Sequence, residues 1–291
     1  LSYRADNALN WQHFTQQEGL PFNGVTDILQ DSNGQIWITT YKGGLSLWQS
    51  ATQSFKNFVF KEEDKPNKIY QIVEDRLSKD LWLVTGSGLY QILANTNDYT
   101  VFANQTSSEK SFSSNHMLYM LQDRQGNFWI ATHGGGLNFW SLQDRLDNKI
   151  VTTNYTIDKG LTSNSIYGIA EDLSGQIWFS SNRGISRLSP SSGVIKHYNK
   201  SHGLQDNDFN LAAVLTAQNG KLFFGGSKGF NLFDPLLIKD NKHVPQVQLT
   251  SVLSLNKPIQ LTTPIHEINQ IEFNHNDYLV AFDFIGLDFA A

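Results

Sequence analysis

One segment recurs along this chain at a nearly constant interval, and that recurrence limits its fold more than any other feature. Five stretches align: DSNGQIWITTYKGGL (31–45), DRLSKDLWLVTGSGL (75–89), DRQGNFWIATHGGGL (123–137), DLSGQIWFSSNRGI (172–185) and AQNGKLFFGGSKGF (217–230). Their aligned aromatics, Trp37, Trp82, Trp129, Trp178 and Phe223, are 45, 47, 49 and 45 residues apart. Each stretch reads as turn, aromatic strand, glycine turn, strand. A period in this range, built from strands alone, predicts β-propeller blades rather than a helical solenoid.

The first unit is the most explicit. A linking loop (18–23) leads into inner strand A (25–30), a hairpin turn, strand B (35–39), a glycine turn, strand C (45–48) and outer strand D (55–58). The same reading places blades at about 18–58, 61–102, 109–155, 158–198 and 202–233, an all-β fold of about five four-stranded blades within 11–240. Two units depart from the pattern. The A–B turn of the second, DRLSKD (75–80), is one residue longer and lacks the turn glycine, and the C–D segment of the third, SLQDRLDNKIVTTNY (141–155), is elongated and reads as a longer hairpin. The fifth unit lacks an obvious strand D. Trp11-Gln-His-Phe14 resembles the D strands elsewhere, so it is expected to pair with 231–233 and close the ring. An open array, or one completed by blades outside this sequence, is the rival. After Pro245 the period stops, and apolar/polar alternation over 247–255 and 271–284 predicts antiparallel strands of a second, truncated β-sandwich domain at 245–291.

Elementary physical chemistry accounts for the fixed letters. Gly34, Gly126, Gly175 and Gly220 stand where a tight hairpin needs positive φ. Asp31, Asp123 and Asp172 precede the first three of these by three residues, where a carboxylate accepts backbone N–H bonds. Strand B is apolar on both faces, as in Ile36-Trp37-Ile38 and Ile177-Trp178-Phe179, which fits a sheet covered on both sides by neighbouring blades. The four strand-B tryptophans are therefore assigned to the core.

Charge and composition exclude several functions. A net charge of −5, with no basic stripe, argues against nucleic-acid binding, which needs a dense cationic surface to displace counterions. With no Cys, disulfides, thiolate catalysis and Cys-based metal sites are ruled out. No apolar run reaches the ~18–20 residues needed to cross a bilayer, and residues 1–20 lack a signal-peptide core. The abrupt ends, LSYRAD and FIGLDFAA, lead to the expectation of a fragment, with any membrane contact made through segments outside it.

In a propeller the D–A links and B–C turns emerge together around the central channel. Here the links contribute Asn23, Asn67, Asn115, His116, Asn164 and Asn207, and the turns Tyr41, Lys42, Ser87, His133, Asn182, Arg183 and Lys228. The candidate ligand-binding residues are Tyr41, Lys42, His116, His133, Asn182, Arg183 and Lys228. Lys42, His133, Arg183 and Lys228 fall at nearly equivalent places, so a cationic, amide-rich ring would suit an acidic saccharide or another anionic small molecule. The plainer reading is that each Asn makes a turn and each exposed cation is solvated.

Catalysis finds little support, and no catalytic residue, metal or cofactor is expected. Glu74-Asp75 and Glu171-Asp172 occupy the same repeat position, the mark of a turn device. His133-Gly-Gly-Gly136 has no G-x-S-x-G partner, Asp31-Ser-Asn-Gly34 lacks the distal Glu of a calcium loop, and no H-E-x-x-H occurs. Asp27 is the single mid-strand acid found in the inner strands, where the others offer Gln71, Tyr119, Gly168 and Ala213.

EGLPFNGVTDILQDSNGQIWITTYKGGLSLW and KGLTSNSIYGIAEDLSGQIWFSSNRGISRL closely resemble the two-component regulator propeller repeat. The tail VQLTSVLSLNKPIQ…INQIEFNHNDYLVAFDFIGLDFAA looks like the start of the Ig-like Y_Y_Y domain that follows such propellers. The resemblance implies the periplasmic sensor region of a bacterial transmembrane receptor. Its cytoplasmic output would be a histidine kinase, often a hybrid with a response regulator, or a diguanylate cyclase. The expected partners are a small molecule or oligosaccharide and a second copy of the chain in a homodimer, with the chain itself not an enzyme. A propeller carbohydrate-active enzyme, lyase or glycosidase, and a protein-binding scaffold stand as alternatives.

Overall fold

Short apolar strands separated by glycine turns form antiparallel sheets stacked in chain order in the computed structural model, which describes residues 1–4, 10–94, 96, 98–104, 111–239, 246–259, 264–268 and 270–287. A small hairpin comes first, β1 (Ser2–Tyr3) with β2 (Gln12–His13). Blade one is β3 (Val25–Gln30), β4 (Ile36–Thr40), β5 (Gly44–Gln49) and β6 (Ser54–Asn57). Blade two is β7 (Ile69–Glu74), β8 (Leu81–Thr85), β9 (Gly88–Ile92) and β10 (Tyr99–Phe102). Blade three is β11 (Met117–Gln122), β12 (Phe128–Thr132), β13 (Leu137–Trp140), the short helix α1 (Leu142–Leu146) and β14 (Thr152–Tyr155). Blade four is β15 (Ile166–Glu171), β16 (Ile177–Ser181), β17 (Gly184–Leu188) and β18 (Ile195–Tyr198). Blade five has three strands, β19 (Phe209–Thr216), β20 (Leu222–Gly226) and β21 (Gly229–Phe233).

The core lies between blades rather than within them. Trp82 of blade two meets Phe128 and Trp140 of blade three edge-on, with ring centroids 5.2 and 6.0 Å apart. Aliphatic and aromatic side chains of blades one and two, and of blades three and four, form the equivalent clusters. Strand B therefore buries both faces, as its sequence requires. The B–C reversal depends on glycine: at Gly136 (φ 78°) a Cβ would stand 2.0 Å from the Tyr155 carbonyl oxygen, and at Gly184 (φ 107°) 2.1 Å from that of Tyr198.

The turn aspartates do more than accept backbone N–H groups. Asp31, Asp123 and Asp172 also accept from the indole Nε1 of Trp37, Trp129 and Trp178 at 2.9, 3.0 and 2.7 Å. The residue ending strand A then ties neighbouring blades together. Glu74 accepts from Ser32 N, Gln122 from Arg76 N and Glu171 from Arg124 N, each at 2.9 Å. Asp27 Oδ2 and Gln71 Oε1 likewise accept from Ile72 N and Met120 N of the following blade, at 3.0 and 2.7 Å.

Three expectations are corrected. Trp11–Phe14 does not close the ring: Gln12–His13 pairs with Ser2–Tyr3, and Phe14 packs on Trp48 and Phe55 of blade one. The Ser2 Oγ···His13 Nδ1 contact (3.0 Å) repeats Ser186 Oγ···His197 Nδ1 (2.8 Å) in the C–D pair of blade four. The segment thus forms an outer C–D hairpin with its own partner strand, which leaves β21 without a D strand among the described residues. The elongated segment of blade three folds into α1, capped by Ser141 Oγ accepting from Asp144 N, instead of lengthening the hairpin.

The chain divides into two compact units, Leu1–Leu237 and Ile238–Ala291. In the second, β22 (Gln246–Ser254) is flanked by β23 (Lys257–Pro258) and β24 (Val280–Leu287) in an antiparallel sheet. As the third correction, β24 begins at Val280, nine residues later than the alternation from Ile271 implied, because the intervening Asn274–Asp277 forms a turn through Asp277 N→Asn274 O at 2.9 Å.

Candidate functional site

The links and B–C turns are held together by backbone bonds on one side of the blades. Tyr41 N donates to Gly24 O, Gly86 N to Lys68 O and His133 N to His116 O, at 2.8, 3.0 and 2.9 Å. The repeated Asn side chains close the links: Asn23, Asn164 and Asn207 accept from Gln16 N, Ile157 N and Lys200 N, at 2.7, 2.8 and 2.8 Å. These asparagines are turn-makers, as the plainer reading holds.

Each inner strand also bulges beside this face. The register skips Thr26, Tyr70, Leu118 and Tyr167 in blades one to four. A bulge re-aims the extra side chain, and in blade two it brings the Tyr70 hydroxyl to His116 Nε2 at 2.9 Å. The two rings stack with centroids 5.7 Å apart, and His116 stacks in turn on His133 at 5.1 Å. Beside them Lys68 Nζ lies over the Tyr41 ring, 4.9 Å from its centroid. Five residues from three blades thus form a strip of phenol, ammonium and imidazole, with Tyr41 and His133 at the exposed surface.

Its electrostatics are coherent. Burial lowers the His116 pKa, and the nearby His133 and Lys68 lower it further, so the imidazole is held neutral. Burial raises the Tyr70 pKa, opposed by Lys68, and the phenol keeps its proton. Interaction with the Tyr41 hydroxyl, then with Tyr70, raises the Lys68 pKa, so the ammonium stays charged. Deeper in, burial and the neighbouring Asp27 push Tyr119 up to about 12, while burial raises the Asp27 pKa.

Of the sequence candidates, Tyr41, His116 and His133 come together in this strip. Lys42 instead stands over the Phe22 ring at 4.7 Å, and Lys228 Nζ pairs with Asp206 at 2.8 Å. Asn182 and Arg183 sit exposed in the B–C turn of blade four. Lys68 and Tyr70 were missed by sequence reasoning. Their signal was available only as two polar residues flanking Ile69 at the start of strand A, and the bulge that turns Tyr70 toward His116 has no mark in the letters. No cluster of three or more potential metal ligands occurs among the described residues.

Residues 19–42 and 111–134, spanning the link, inner strand and B–C turn of blades one and three, match the family of the two component regulator propeller. The chain is 25% identical over 241 residues to histidine kinase P4 of Formosa agariphila, a match covering 80% of this chain and 17% of that protein. The chain thus spans about a sixth of this curated relative. Among solved structures, the extracellular domain of a hybrid two-component system of B. thetaiotaomicron aligns with TM-score 0.59 and 16% identity, covering 90% of this chain and 47% of that one. Virginiamycin B lyase of Staphylococcus aureus aligns with TM-score 0.54 and 15% identity, covering 76% and 73%. At such identities these structures share the propeller fold with this chain.

Proposed function

We propose that this chain is part of the extracytoplasmic, non-catalytic sensor region of a bacterial two-component receptor, and that the strip Tyr41–Lys68–Tyr70–His116–His133 contacts its ligand. The repeat family, the histidine kinase relative and the extracellular neighbour support the receptor reading. The observation that carries the ligand reading is the stack of Tyr70, His116 and His133 across two blades beside a charged Lys68. Flat rings next to hydroxyl, imidazole and ammonium groups suit a sugar ring bearing a carboxylate or other anionic group. The inner-strand carboxylate Asp27 already accepts from Ile72 N and stands alone at its repeat position, which disfavours a paired-carboxylate hydrolase. The second unit is read as the beginning of the Y_Y_Y sandwich that would pass the ligand's effect toward an output domain, and a homodimer is the expected form for transmission.

A thermal-shift screen with neutral and acidic oligosaccharides tests this reading, since a ligand selective for the folded state raises Tm. An acidic saccharide should raise Tm in the native chain and lose that effect in the double variant Tyr70→Ala/His133→Ala. An unchanged shift in the double variant would remove the strip from the ligand site, and turnover of a binding saccharide would overturn the sensor reading.

A further inference from the structure

The strip on the link face gathers basic groups without a counter-charge. Lys68 stands just before β7, His116 just before β11, and His133 in the B–C turn of blade three. No carboxylate lies within ion-pair distance of any of them among the described residues. Lys228, in the B–C turn of blade five, is by contrast paired with Asp206. The groups that face His116 are the Tyr70 hydroxyl of β7, the His133 ring stacked on it at 5.1 Å, and the nearby Lys68 charge. Tyr41 and His133 are exposed, and Lys68, Tyr70 and His116 are half-buried, so the strip opens to solvent.

Held this close, the basic groups repel one another when charged, and His116 stays unprotonated beside the charged Lys68. An anion brought among them reverses that balance, because it favours the protonated form of each imidazole. The Tyr70 contact accommodates both forms. Its hydroxyl donates to an unprotonated His116 Nε2 and accepts from Nε2–H, so the 2.9 Å contact serves before and after protonation.

We propose that an oxyanion binds at this strip together with a proton, taken up by the stacked His116–His133 pair, so that the chain holds its ligand more tightly in acid. This rests on the reading that the strip contacts the ligand, and it adds control of that contact by pH. Binding and protonation are reciprocal: whatever the anion adds to the imidazoles' hold on a proton, the proton adds to their hold on the anion. For His116 the sign is definite. Burial, then His133 and Lys68, hold its pKa below the ordinary value in the unliganded chain, and an anion moves it up. Affinity therefore rises as pH falls through the value in the complex, and levels off below that of the unliganded chain. A rise of one unit corresponds to a limit of about tenfold in affinity.

The test is a titration of the full, isotopically labelled chain with inorganic sulfate against chloride at constant ionic strength, at about pH 5.5 and about pH 8, which bracket the imidazole range. Sulfate keeps its charge throughout, so any linked proton belongs to the protein. The readouts are the sulfate Kd and the midpoint of the His116 Cε1–H signal, assigned through His116→Gln or, if that variant does not fold, by triple-resonance experiments. The Kd should be about fivefold lower at the acid end, and the His116 midpoint should rise by about one unit at saturation. His116→Gln/His133→Gln keeps Lys68 but has no imidazole at the strip, so its Kd should be the same at both ends. If that variant does not fold, the midpoint of the native chain decides. No sulfate binding at the acid end, a Kd independent of pH, an unmoved midpoint, or a pH dependence kept in the folded double variant would each overturn the proposal. The saccharide reading fails separately. Proton-linked sulfate binding in a chain whose Tm no saccharide raises would remove the sugar and keep the coupling, whereas a saccharide shift in Tm that is equal at both ends would keep the site and overturn the coupling.

Discussion

Blades four and five come from the same repeat and end differently. Every residue of β16 is buried, with Trp178 pinned by Asp172 and packed between Tyr198 and Phe233. In blade five Ala217 and Phe223 stand in those places, no strand D pairs with β21 among the described residues, and Leu215, Phe230 and Leu232 are 60%, 65% and 48% exposed. Blade four has a neighbour on each face, supplied by β11 and β12 on one side and β19 on the other. A blade is thus a unit whose apolar faces become core only through neighbours, and its stability is set by the interfaces it shares. Blade two shows an intermediate case, where the turn Asp is kept but redirected to Arg145.

The largest expected effect tests the contrast directly. Trp178→Ala removes a fully buried ring and should cost about 3–5 kcal/mol in denaturant unfolding, whereas Phe223→Ala in the half-covered blade should cost roughly 1–2 kcal/mol. Equal losses would break the idea that neighbours, rather than the repeat itself, make the core.

A second comparison sets Arg145→Met against the native chain across pH. Burial alone would raise the Asp75 pKa, but hydrogen bonds from Arg145, Leu77 N and Gln122, with the Arg145 charge, outweigh it and hold the carboxyl below its ordinary value. The native contribution is therefore complete above the unfolded carboxylate pKa of about 3.9 and is lost as pH falls through the lowered folded value. Stranding the buried carboxylate should cost about 3 kcal/mol at pH 7. With Arg145 gone burial dominates, so the deficit should shrink as the pH is taken from 7 toward about 4. A deficit independent of pH would mean that α1 packing, and not the ion pair, holds the turn.

The smallest effects sharpen the role of the turn Asp. Asp172→Ala leaves the Trp178 indole and two turn N–H groups without their acceptor and should cost about 1–3 kcal/mol. The reciprocal Ala217→Asp has no indole to hold and should gain about 0.5 kcal/mol through the turn alone. A gain as large as the loss would show that the indole bond contributes little.

Much of this was legible because a propeller repeat is local. Gly34, Gly136 and Gly184 mark positive φ, Asp31, Asp123 and Asp172 mark the hairpins, and both follow from conformational limits on a few neighbouring residues. The indole bond to the same Asp, six residues on, lies on the border of what letters reveal. The Tyr70–His116 contact, 46 residues apart, and the Arg145–Asp75 pair, 70 apart, were out of reach. The letters around Trp11–Phe14 misled for the same reason: a D-strand pattern states what a segment is, while pairing energy decides which strand it joins.

The repeating letters by themselves determined the blades, their turns and the burial of their tryptophans, because those depend on backbone geometry and on alternation within a few residues. Only the tertiary structure decided the stack on the link face and the buried Arg145–Asp75 pair between blades two and three. Both arise from the register between adjacent blades, which bulges, an inserted helix and the packing of large rings fix together, and no short-range rule carries that information.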